Sequence, residues 1–400
     1  MARSTKKAVR TADRMPKEPV EVFFATNRFV EGSDSKPSFG TGFHSEGPHY
    51  LRYGRALVQA PAKWDYDVEK DGFKVVSKSL AKEAVGPEVK TKEVLGSEQI
   101  FETLRRTMIE TESDALIYLH GFANTMDSAL ERAAELKLRF QFDSERPLNV
   151  FAFCWPSDGE MVPYLSYYSD RDDAQISGIA IARAMLKLRE WLIRLSLEQA
   201  AGGKRRFCNQ RIHLVAHSMG NYAFRHAVQS MCGELNGRLE PIFDQVFLMA
   251  SDEDDDTFEK AHKLGVLPEL ARAIHVYYST SDVPLDQLAD VTKMLPDRLG
   301  TQGPRNKDGL HRKINLVDCT SVDWTGSIAH GWHQYYRLRR EVYEDVRQIL
   351  SGILPRDVSG REFLPEERAY RILPLADRGK QARSVTRRLG PQEFGRRLRS

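Results

Sequence analysis

A serine, an acid and a histidine stand in this chain at positions where they could form a catalytic relay. Ser218 lies in AHSMG (216–220), between an apolar, β-branched run and a helix-like run. A serine hydroxyl is a weak nucleophile until a base takes its proton and an acid orients that base. The pattern G-x-S-x-G is typical of a nucleophile elbow, a tight strand-to-helix turn. Gly220 fits this pattern and Ala216 replaces its first glycine. We expect Ser218 to be a nucleophile; the alternative is a helix N-cap, for which serine is favoured.

The general base should be a histidine late in the domain. In α/β sheets that carry a nucleophile elbow, the catalytic residues follow along the chain in the order serine, acid, histidine. His333 follows the last predicted strand and precedes the closing helix, in AHGWHQYY (329–336). His330 in the same run and His311 before the last strand are the alternatives. The position between the last strand and the last helix favours His333.

The acid should follow a strand between the serine and the histidine. Asp282 ends IHVYYSTSD, the next-to-last strand, and Asp252 ends QVFLMASD. We favour Asp282, because Asp252 opens an acidic run, DEDDD, that would ordinarily be a solvated loop or a helix start favoured by the helix dipole. The run is not a calcium loop, since Thr257 and Lys263 occupy the positions of the required glycine and glutamate.

An oxyanion needs two backbone N–H donors. One should be Met219, directly after the nucleophile, and the other should come from a loop after an earlier strand, often opened by His-Gly. The run LHGF (119–122) supplies that loop and makes the N–H of Phe122 the second candidate.

Aromatic residues near the strand ends could line a substrate pocket. His120 and Trp155 each follow a predicted strand, and Tyr164, Tyr167 and Tyr168 lie in the run MVPYLSYYSDRDD between a strand and a helix. Tyrosines also pack over sheet edges without any ligand, so a structural role is the alternative.

The elements that must position these residues alternate between apolar strands and helices. This pattern predicts the α/β class, a doubly wound, mostly parallel β-sheet with helices on both faces. Ligand sites in such sheets lie at the carboxyl ends of the strands, where the candidate residues fall. Strands or strand-like runs are predicted at 20–28, 50–61, 73–80, 89–96, 115–121, 148–159 (running into a loop), 211–217, 245–252, 274–282 and 313–320. Helices are predicted at 101–109, 124–140 (with Asn124 as N-cap), 176–200, 220–231, 286–294 and 333–350, and a loop at 29–48.

Length and charge divide the 400 residues into three parts. Residues 1–19 are predicted to be a basic disordered tail, 20–352 the α/β domain, and 353–400 a C-terminal extension ending in a basic tail. The net charge of +3 hides an asymmetry, since residues 1–20 carry +4, residues 378–400 carry +7 and the body between them carries −8. An acidic body with basic ends does not indicate a nucleic-acid-binding domain.

The compartment is predicted from what the sequence lacks. No run is long and apolar enough to cross a membrane, and the polar, basic start does not resemble a secretory signal. The four cysteines have no metal-binding spacing: Cys154, Cys208, Cys232 and Cys319. We expect a cytoplasmic protein with reduced thiols, no metal and no organic cofactor.

With these residues in hand, the chain resembles the α/β-hydrolase superfamily, and more narrowly the largely uncharacterised bacterial family domain of unknown function 900. The resemblance covers roughly residues 20–352 and rests on an ordered set of motifs: FFATNR (23–28), YLHGFANTMDSAL (118–130), FCWPSDG (153–159), LVAHSMGNYAF (214–224), FLMASDEDDDTF (247–258), YYSTSD (277–282) and WHQYY (332–336). It implies Ser218 as nucleophile, Asp282 as triad acid, His333 as base and the His-Gly pair as part of the oxyanion hole. Trp332 departs from the glycine the family tends to place there, which keeps His330 as a rival.

Residues and resemblance together predict a serine hydrolase that cleaves a carboxylic ester through a Ser-His-Asp triad and an acyl-enzyme. The substrate would be a small-molecule or lipid ester, and no nucleic-acid partner is expected. The alternatives are a non-catalytic binding or scaffold protein with the same fold, or basic tails that bind an anionic partner. The acyl group and the oligomeric state stay open.

Overall fold

The computed structural model describes residues 16–62, 72–82, 94, 96–141, 147–159, 165–202, 210–282, 297–323 and 333–378. Its strands are β1 (Val20–Thr26), β2 (Arg28–Ser33), β3 (Lys36–Phe43), β4 (Arg52–Gln59), β5 (Lys74–Leu80), β6 (Ala115–Leu119), β7 (Asn149–Cys154), β8 (Ile212–His217), β9 (Phe243–Met249), β10 (Ala271–Tyr278), β11 (Ile314–Asp318), β12 (Arg361–Leu364) and β13 (Ala369–Ile372). Its α-helices are α1 (Gly96–Glu110), α2 (Met126–Phe140), α3 (Leu165–Ala200), α4 (Met219–Glu234), α5 (Leu267–Leu270), α6 (Leu299–Gln302), α7 (Thr320–Asp323), α8 (Tyr335–Leu338) and α9 (Arg340–Leu350). A single 3-10 turn covers Pro355–Asp357 among these residues.

Eleven strands form one sheet in the order β12-β13-β11-β10-β9-β8-β6-β7-β1-β4-β5. Neighbouring strands are parallel from β13 to β1, and antiparallel pairs close both edges. The central strands are buried along nearly their whole length, which explains their continuous apolar sequences. This order brings the carboxyl ends of β6, β7, β8, β9 and β10 to one edge, where the candidate residues follow.

Helices cover both faces of this sheet. One hydrophobic core holds α1, α3 and α4, through residues such as Phe101, Ile181 and Ala223. The opposite core holds α2 and α9, through Leu130 and Val342 among others. The predicted fold class, a doubly wound and mostly parallel α/β sheet, is therefore confirmed. None of the helices in the described part of the chain has the length and apolarity to cross a membrane.

The predicted loop at 29–48 is wrong, because β2 and β3 form a two-stranded hairpin there. Glycine, serine and proline obscure the strand pattern in the sequence. A tertiary contact secures the hairpin, since the ring of Phe39 packs edge-on against Phe24 of β1 at a centroid distance of 5.9 Å.

The bounds of several helices also differ from the sequence prediction. The N-cap of α2 is Thr125 rather than Asn124, because the Thr125 hydroxyl accepts the Ser128 N–H at 3.1 Å. Helix α3 begins at Leu165 rather than at 176, and the closing helix is interrupted at Arg339 by an extended backbone. Most of the predicted strand-like run 89–96 and all of the predicted helix 286–294 lie outside the described residues.

The C-terminal extension joins the central sheet through β12 and β13, which the sequence analysis does not predict. Arg361 of β12 is buried and its guanidinium donates two hydrogen bonds to the Asp345 carboxylate of α9, at 2.5 and 2.6 Å. The Tyr277 hydroxyl of β10 donates to the same carboxylate at 2.5 Å. This buried network ties residues beyond 353 to the core of the α/β domain.

Replacing Arg361 with methionine should lower the free energy of unfolding by about 3–5 kcal/mol, because Asp345 is left buried without its cation. The matched control is Arg356→Met in the same extension, where the side chain is 75% exposed and stands 3.7 Å from Asp357. That substitution should change the free energy by no more than about 0.5 kcal/mol. Denaturant titration followed by circular dichroism measures both, and equal losses would contradict the buried-pair interpretation.

Candidate active site

Ser218 occupies a sharp turn between β8 and α4. Its backbone has φ 53° and ψ −127°, a conformation that residues with a side chain rarely adopt and that is concentrated at functional sites. The turn is held by its neighbours, since the Ser218 N–H donates to the Met249 carbonyl at 3.0 Å and the Asn221 side chain donates to the Ser218 carbonyl at 3.0 Å. The Ser218 side chain makes no capping hydrogen bond to α4. The geometry is therefore that of an elbow and not that of an N-cap.

Two glycines let the elbow approach the end of β6. A Cβ on Gly220 would lie 2.6 Å from the carbonyl oxygens of both Leu119 and His120. A Cβ on Gly121 would lie 2.8 Å from the Cβ of Ser218. Only glycine fits at both positions, so the amino end of α4 packs directly against the loop after β6.

His333 and Asp282 are brought together from segments 51 residues apart. The His333 Nδ1 lies 2.8 and 3.1 Å from the two carboxylate oxygens of Asp282, which is completely buried. Because a carboxylate accepts, this contact places the proton on Nδ1 and leaves Nε2 with its lone pair. His217, next to Ser218, donates from Nε2 to the His333 carbonyl at 3.1 Å, and the two rings lie 4.7 Å apart. The histidine–aspartate pair therefore lies beside the elbow.

The surroundings of His333 set its affinity for a proton. Burial alone lowers the pKa of His333, but the carboxylates of Asp282, Asp252 and Asp323, with Asp282 foremost, together outweigh burial, so the net pKa lies above its ordinary value of 6.5. Burial places the pKa of His217 well below its ordinary range, and the nearby His333 lowers it further. Burial raises the pKa of Asp323 to about 7, although the Ser279 hydroxyl donates to its carboxylate at 2.5 Å. His333 is thus the better proton acceptor of the two histidines.

The loop after β6 is fixed by side chains from other elements. Ala123 has φ 56°, and its N–H donates to the Asp170 carboxylate at 3.2 Å. The Asn124 side chain donates to the carbonyls of Gly121 and Phe122 at 3.0 and 2.8 Å. Buried Arg28 donates to the Asn124 carbonyl at 2.7 Å. This network holds the Phe122 peptide in one orientation.

The two predicted oxyanion donors are left available by this arrangement. Among the described residues, neither the Phe122 N–H nor the Met219 N–H has an acceptor. Met219 is the first residue of α4, where a backbone N–H has no intrahelical partner. The helix end also carries partial positive charge, which favours an anion nearby.

The predicted pocket residues lie in different surroundings in the structure. His120 and Trp155 are completely buried and stack at 4.8 Å, and the indole N–H donates to the His120 carbonyl at 2.9 Å. They pack within the loop after β6 rather than line an open pocket, and burial lowers the pKa of His120 to about 3. Tyr167, in the first turn of α3, packs edge-on against Phe122 at 5.9 Å, and Tyr168 is half-exposed. Tyr164 lies outside the described residues.

The rival acid, Asp252, is engaged elsewhere. Its carboxylate accepts the Tyr167 hydroxyl at 2.8 Å and forms an ion pair with Arg298 at 3.2 Å, while its N–H donates to the Ser218 carbonyl at 3.2 Å. Arg171, one turn along α3, lies 3.5 Å from the same carboxylate. Asp252 therefore supports the elbow and orders Tyr167, and it does not orient His333. His330 lies outside the described residues, and His311 is exposed.

The expected solvated character of the run DEDDD is wrong, because all five residues are buried. Lysine and arginine side chains pair with several of them. Lys263 donates to Asp254 at 2.6 Å, Arg298 to Asp254 at 2.9 Å and Arg305 to Asp255 at 2.7 Å. These cations were not predicted, since their positions along the chain give no sign of the contact.

One group of carboxylates in the described part of the chain has the spacing of metal ligands. Oxygens of Asp158, Asp170 and Asp173 lie within 4.8 Å of one another. Asp170 already accepts the N–H groups of Asp158 and Ala123. Burial and the neighbouring carboxylates raise the pKa of Asp173 to about 7. At neutral pH the Asp173 carboxyl is therefore partly protonated, which lowers the negative charge of the three-carboxylate cluster.

Comparison with known proteins supports the fold. A family model described as an alpha/beta hydrolase of unknown function, DUF900, matches residues 97–351. No curated protein gives a significant match. Similar solved structures include a fungal esterase from Rhizomucor miehei, with 9% identity, a TM-score of 0.32 and coverage of 89% of this chain and 88% of that one. Another is the hyperthermophilic esterase from Pyrobaculum calidifontis, with 12% identity, a TM-score of 0.31 and coverage of 89% of this chain and 91% of that one. A third is the acylaminoacyl peptidase from Pyrococcus horikoshii, with 11% identity, a TM-score of 0.33 and coverage of 85% of this chain and 53% of that one. At these identities and scores the similar structures carry no argument, and the family model alone supports the fold.

The role of the glycine contact can be tested on α4 itself. Gly220→Ala should destabilise the protein and disturb the elbow, because the new Cβ meets two backbone carbonyls that no rotamer change can move. Gly233→Ala is the matched control on the same helix, where a new Cβ meets nothing within 4 Å. It should stabilise the protein by roughly 0.5–1 kcal/mol, as expected when alanine replaces a helical glycine. Thermal unfolding of both variants checks this, and a neutral Gly220→Ala would contradict the close packing.

Proposed function

This chain belongs to the α/β-hydrolase family of unknown function whose model matches residues 97–351, and within that family we propose that it hydrolyses carboxylic esters through a serine nucleophile. The observation that carries the proposal is the pairing of His333 with Asp282 beside a strained elbow that presents Ser218. A serine, a base and an orienting acid are the parts that acyl transfer requires.

The proposed reaction has two halves. In the first, His333 Nε2 takes the hydroxyl proton as Ser218 Oγ attacks the ester carbonyl carbon, and Asp282 stabilises the imidazolium that results. Collapse of the tetrahedral intermediate breaks the bond to the alcohol, which leaves with the proton held by His333. In the second half, His333 takes a proton from water, the water attacks the acyl-enzyme, and Ser218 leaves with that proton.

The oxyanion would be stabilised by the N–H groups of Met219 and Phe122. Such donors contribute most when they are fixed before the reaction begins, because they need no reorganisation as charge develops. The bonds from Asn124 to the Phe122 loop and from Asp170 to Ala123 supply that rigidity. Tyr167 and Phe122 form an aromatic wall nearby, which suits an apolar acyl or alcohol group.

A fluorophosphonate probe tests the nucleophile. The wild type should be labelled at one serine, and Ser218→Ala should lose the label because the attacking oxygen is gone. Its kcat for p-nitrophenyl esters should fall by roughly 10⁴-fold or more, as removal of a triad serine does elsewhere. His333→Ala should lose the label as well, because the serine then has no base.

The control for this labelling is Ser251→Ala. Ser251 is another buried serine in the same region, directly before Asp252, and its substitution should leave labelling in place. Loss of the label from Ser251→Ala alone would identify a different nucleophile. A folded wild type that is neither labelled nor active on esters would favour the binding or scaffold alternative.

The pH dependence follows from the state of His333. Only neutral His333 can accept the serine proton, and its pKa lies above 6.5, so kcat/KM should rise with pH along an acid limb whose midpoint exceeds 6.5. Asp282→Asn removes the carboxylate that raises this pKa and leaves burial, which lowers it. The midpoint should therefore move to lower pH, while kcat falls by roughly 10⁴-fold. An unchanged midpoint in the active variant would show that Asp282 does not act on His333.

A further inference from the structure

A large apolar cavity lies apart from the triad, between the sheet and helices α1 and α3. Its volume is about 530 Å³, within the range of about 300–1,000 Å³ found for small-molecule sites. The walls are apolar side chains from α1, α3, β6 and β7: Phe101, Ile117, Phe153, Met185, Leu188 and Trp191. Protein interiors are packed nearly as densely as organic crystals, and apolar cavities do not hold water well. A space of this size and character therefore suits an apolar occupant.

The cavity opens at the edge of the sheet opposite the triad. Its rim includes three residues near strand starts: Arg211, which directly precedes β8, Asp244, the second residue of β9, and Arg272, the second residue of β10. These are the amino ends of parallel strands, whereas Ser218 follows the carboxyl end of β8. The cavity wall follows β6 from Ala115 to Leu119, a strand length of roughly 13 Å. The rim and the elbow are thus separate sites on one sheet.

Two arginines at the mouth of the cavity share one carboxylate. Four arginines line the cavity in all, and the other two pair with Glu102 and Glu240. Arg211 and Arg272 share the single carboxylate of Asp244, at 3.6 and 3.2 Å, and their side chains are 44% and 69% exposed. A further carboxylate, Asp114, accepts the backbone N–H of Arg211 at 2.7 Å.

We propose that this cavity binds a long-chain carboxylate, with the alkyl chain against the apolar wall and the carboxylate at Arg211 and Arg272. Guanidinium groups pair well with carboxylates because their donors match both oxygens. A chain with an uncharged head would gain the apolar contacts and lose this pairing. The proposal does not depend on the proposed ester hydrolysis, because none of the candidate triad or oxyanion residues lines the cavity.

Trp191 gives a direct signal for binding, because bromine quenches indole fluorescence at contact distance. Dibromostearic acid should quench the fluorescence of full-length Ser218→Ala protein saturably, and Trp191→Phe should remove most of that quenching. The Ser218→Ala background removes the candidate nucleophile, and the comparison with Trp191→Phe distinguishes this cavity from binding near the elbow. The double variant Arg211→Gln/Arg272→Gln should weaken the apparent Kd at least tenfold. Arg356→Gln, an exposed arginine in the C-terminal extension, should leave it unchanged.

Two further arms make the outcome decisive. The matching brominated alcohol should bind at least tenfold more weakly than the acid. Ala184→Phe, which fills the cavity from α3, should weaken binding of the acid, with thermal unfolding used to verify that the variant folds. Absence of quenching in the folded protein would overturn the proposal, as would quenching that survives in Trp191→Phe. Equal binding of acid and alcohol, unaffected by the arginine variants, would overturn the assignment of a carboxylate head.

Discussion

The close contact between the amino end of α4 and the carboxyl end of β6 is the constraint on which the candidate site depends. Gly220 leaves no room for a side chain above the carbonyls of Leu119 and His120, and Gly121 leaves none beside Ser218. This approach brings the N–H of Met219 next to the loop that carries Phe122. The strain at Ser218 persists because the turn lies between buried central strands, where the Met249 carbonyl holds its N–H.

Burial and the presence or absence of a carboxylate partner set the pKa values of the histidines around this contact. His120 and His217 are enclosed without a carboxylate partner, so the pKa of each falls below its ordinary value. His333 is only partly buried by surface area, and Asp282, together with Asp252 and Asp323, raises its pKa above that value. Asp252 makes different contacts. Its carboxylate accepts the Tyr167 hydroxyl and pairs with Arg298, while its N–H donates to the Ser218 carbonyl. Two acids at neighbouring strand ends thus have separate contacts, since Asp282 orients His333 and Asp252 supports the turn at Ser218.

The fold class and the order of the candidate residues could be predicted because both are local patterns. Apolar strands, glycine turns and the serine pentapeptide are visible within a few residues. The buried pairs could not be predicted: Arg298 lies 44 residues after Asp254, and Arg361 lies 16 residues after Asp345, with no periodicity joining them. The hairpin at β2 and β3 was missed for the same reason, since its strands depend on Phe39 meeting Phe24. The sequence places Tyr167 before the predicted helix, because the apolar helix pattern begins only further along α3.

A parallel sheet has two chemically different edges, and in this chain the two edges carry different groups. At the carboxyl edge, helix amino ends and glycine turns expose backbone N–H groups, which suits a developing anion at a reacting carbonyl. At the amino edge, the strands begin with the arginines and Asp244 that surround the cavity. Charge there comes from flexible side chains, which suit a preformed carboxylate that needs no fixed geometry for reaction. A carboxylate at the amino edge would therefore be bound without being transformed, while an ester reaching the carboxyl edge would meet the only described serine held in an elbow.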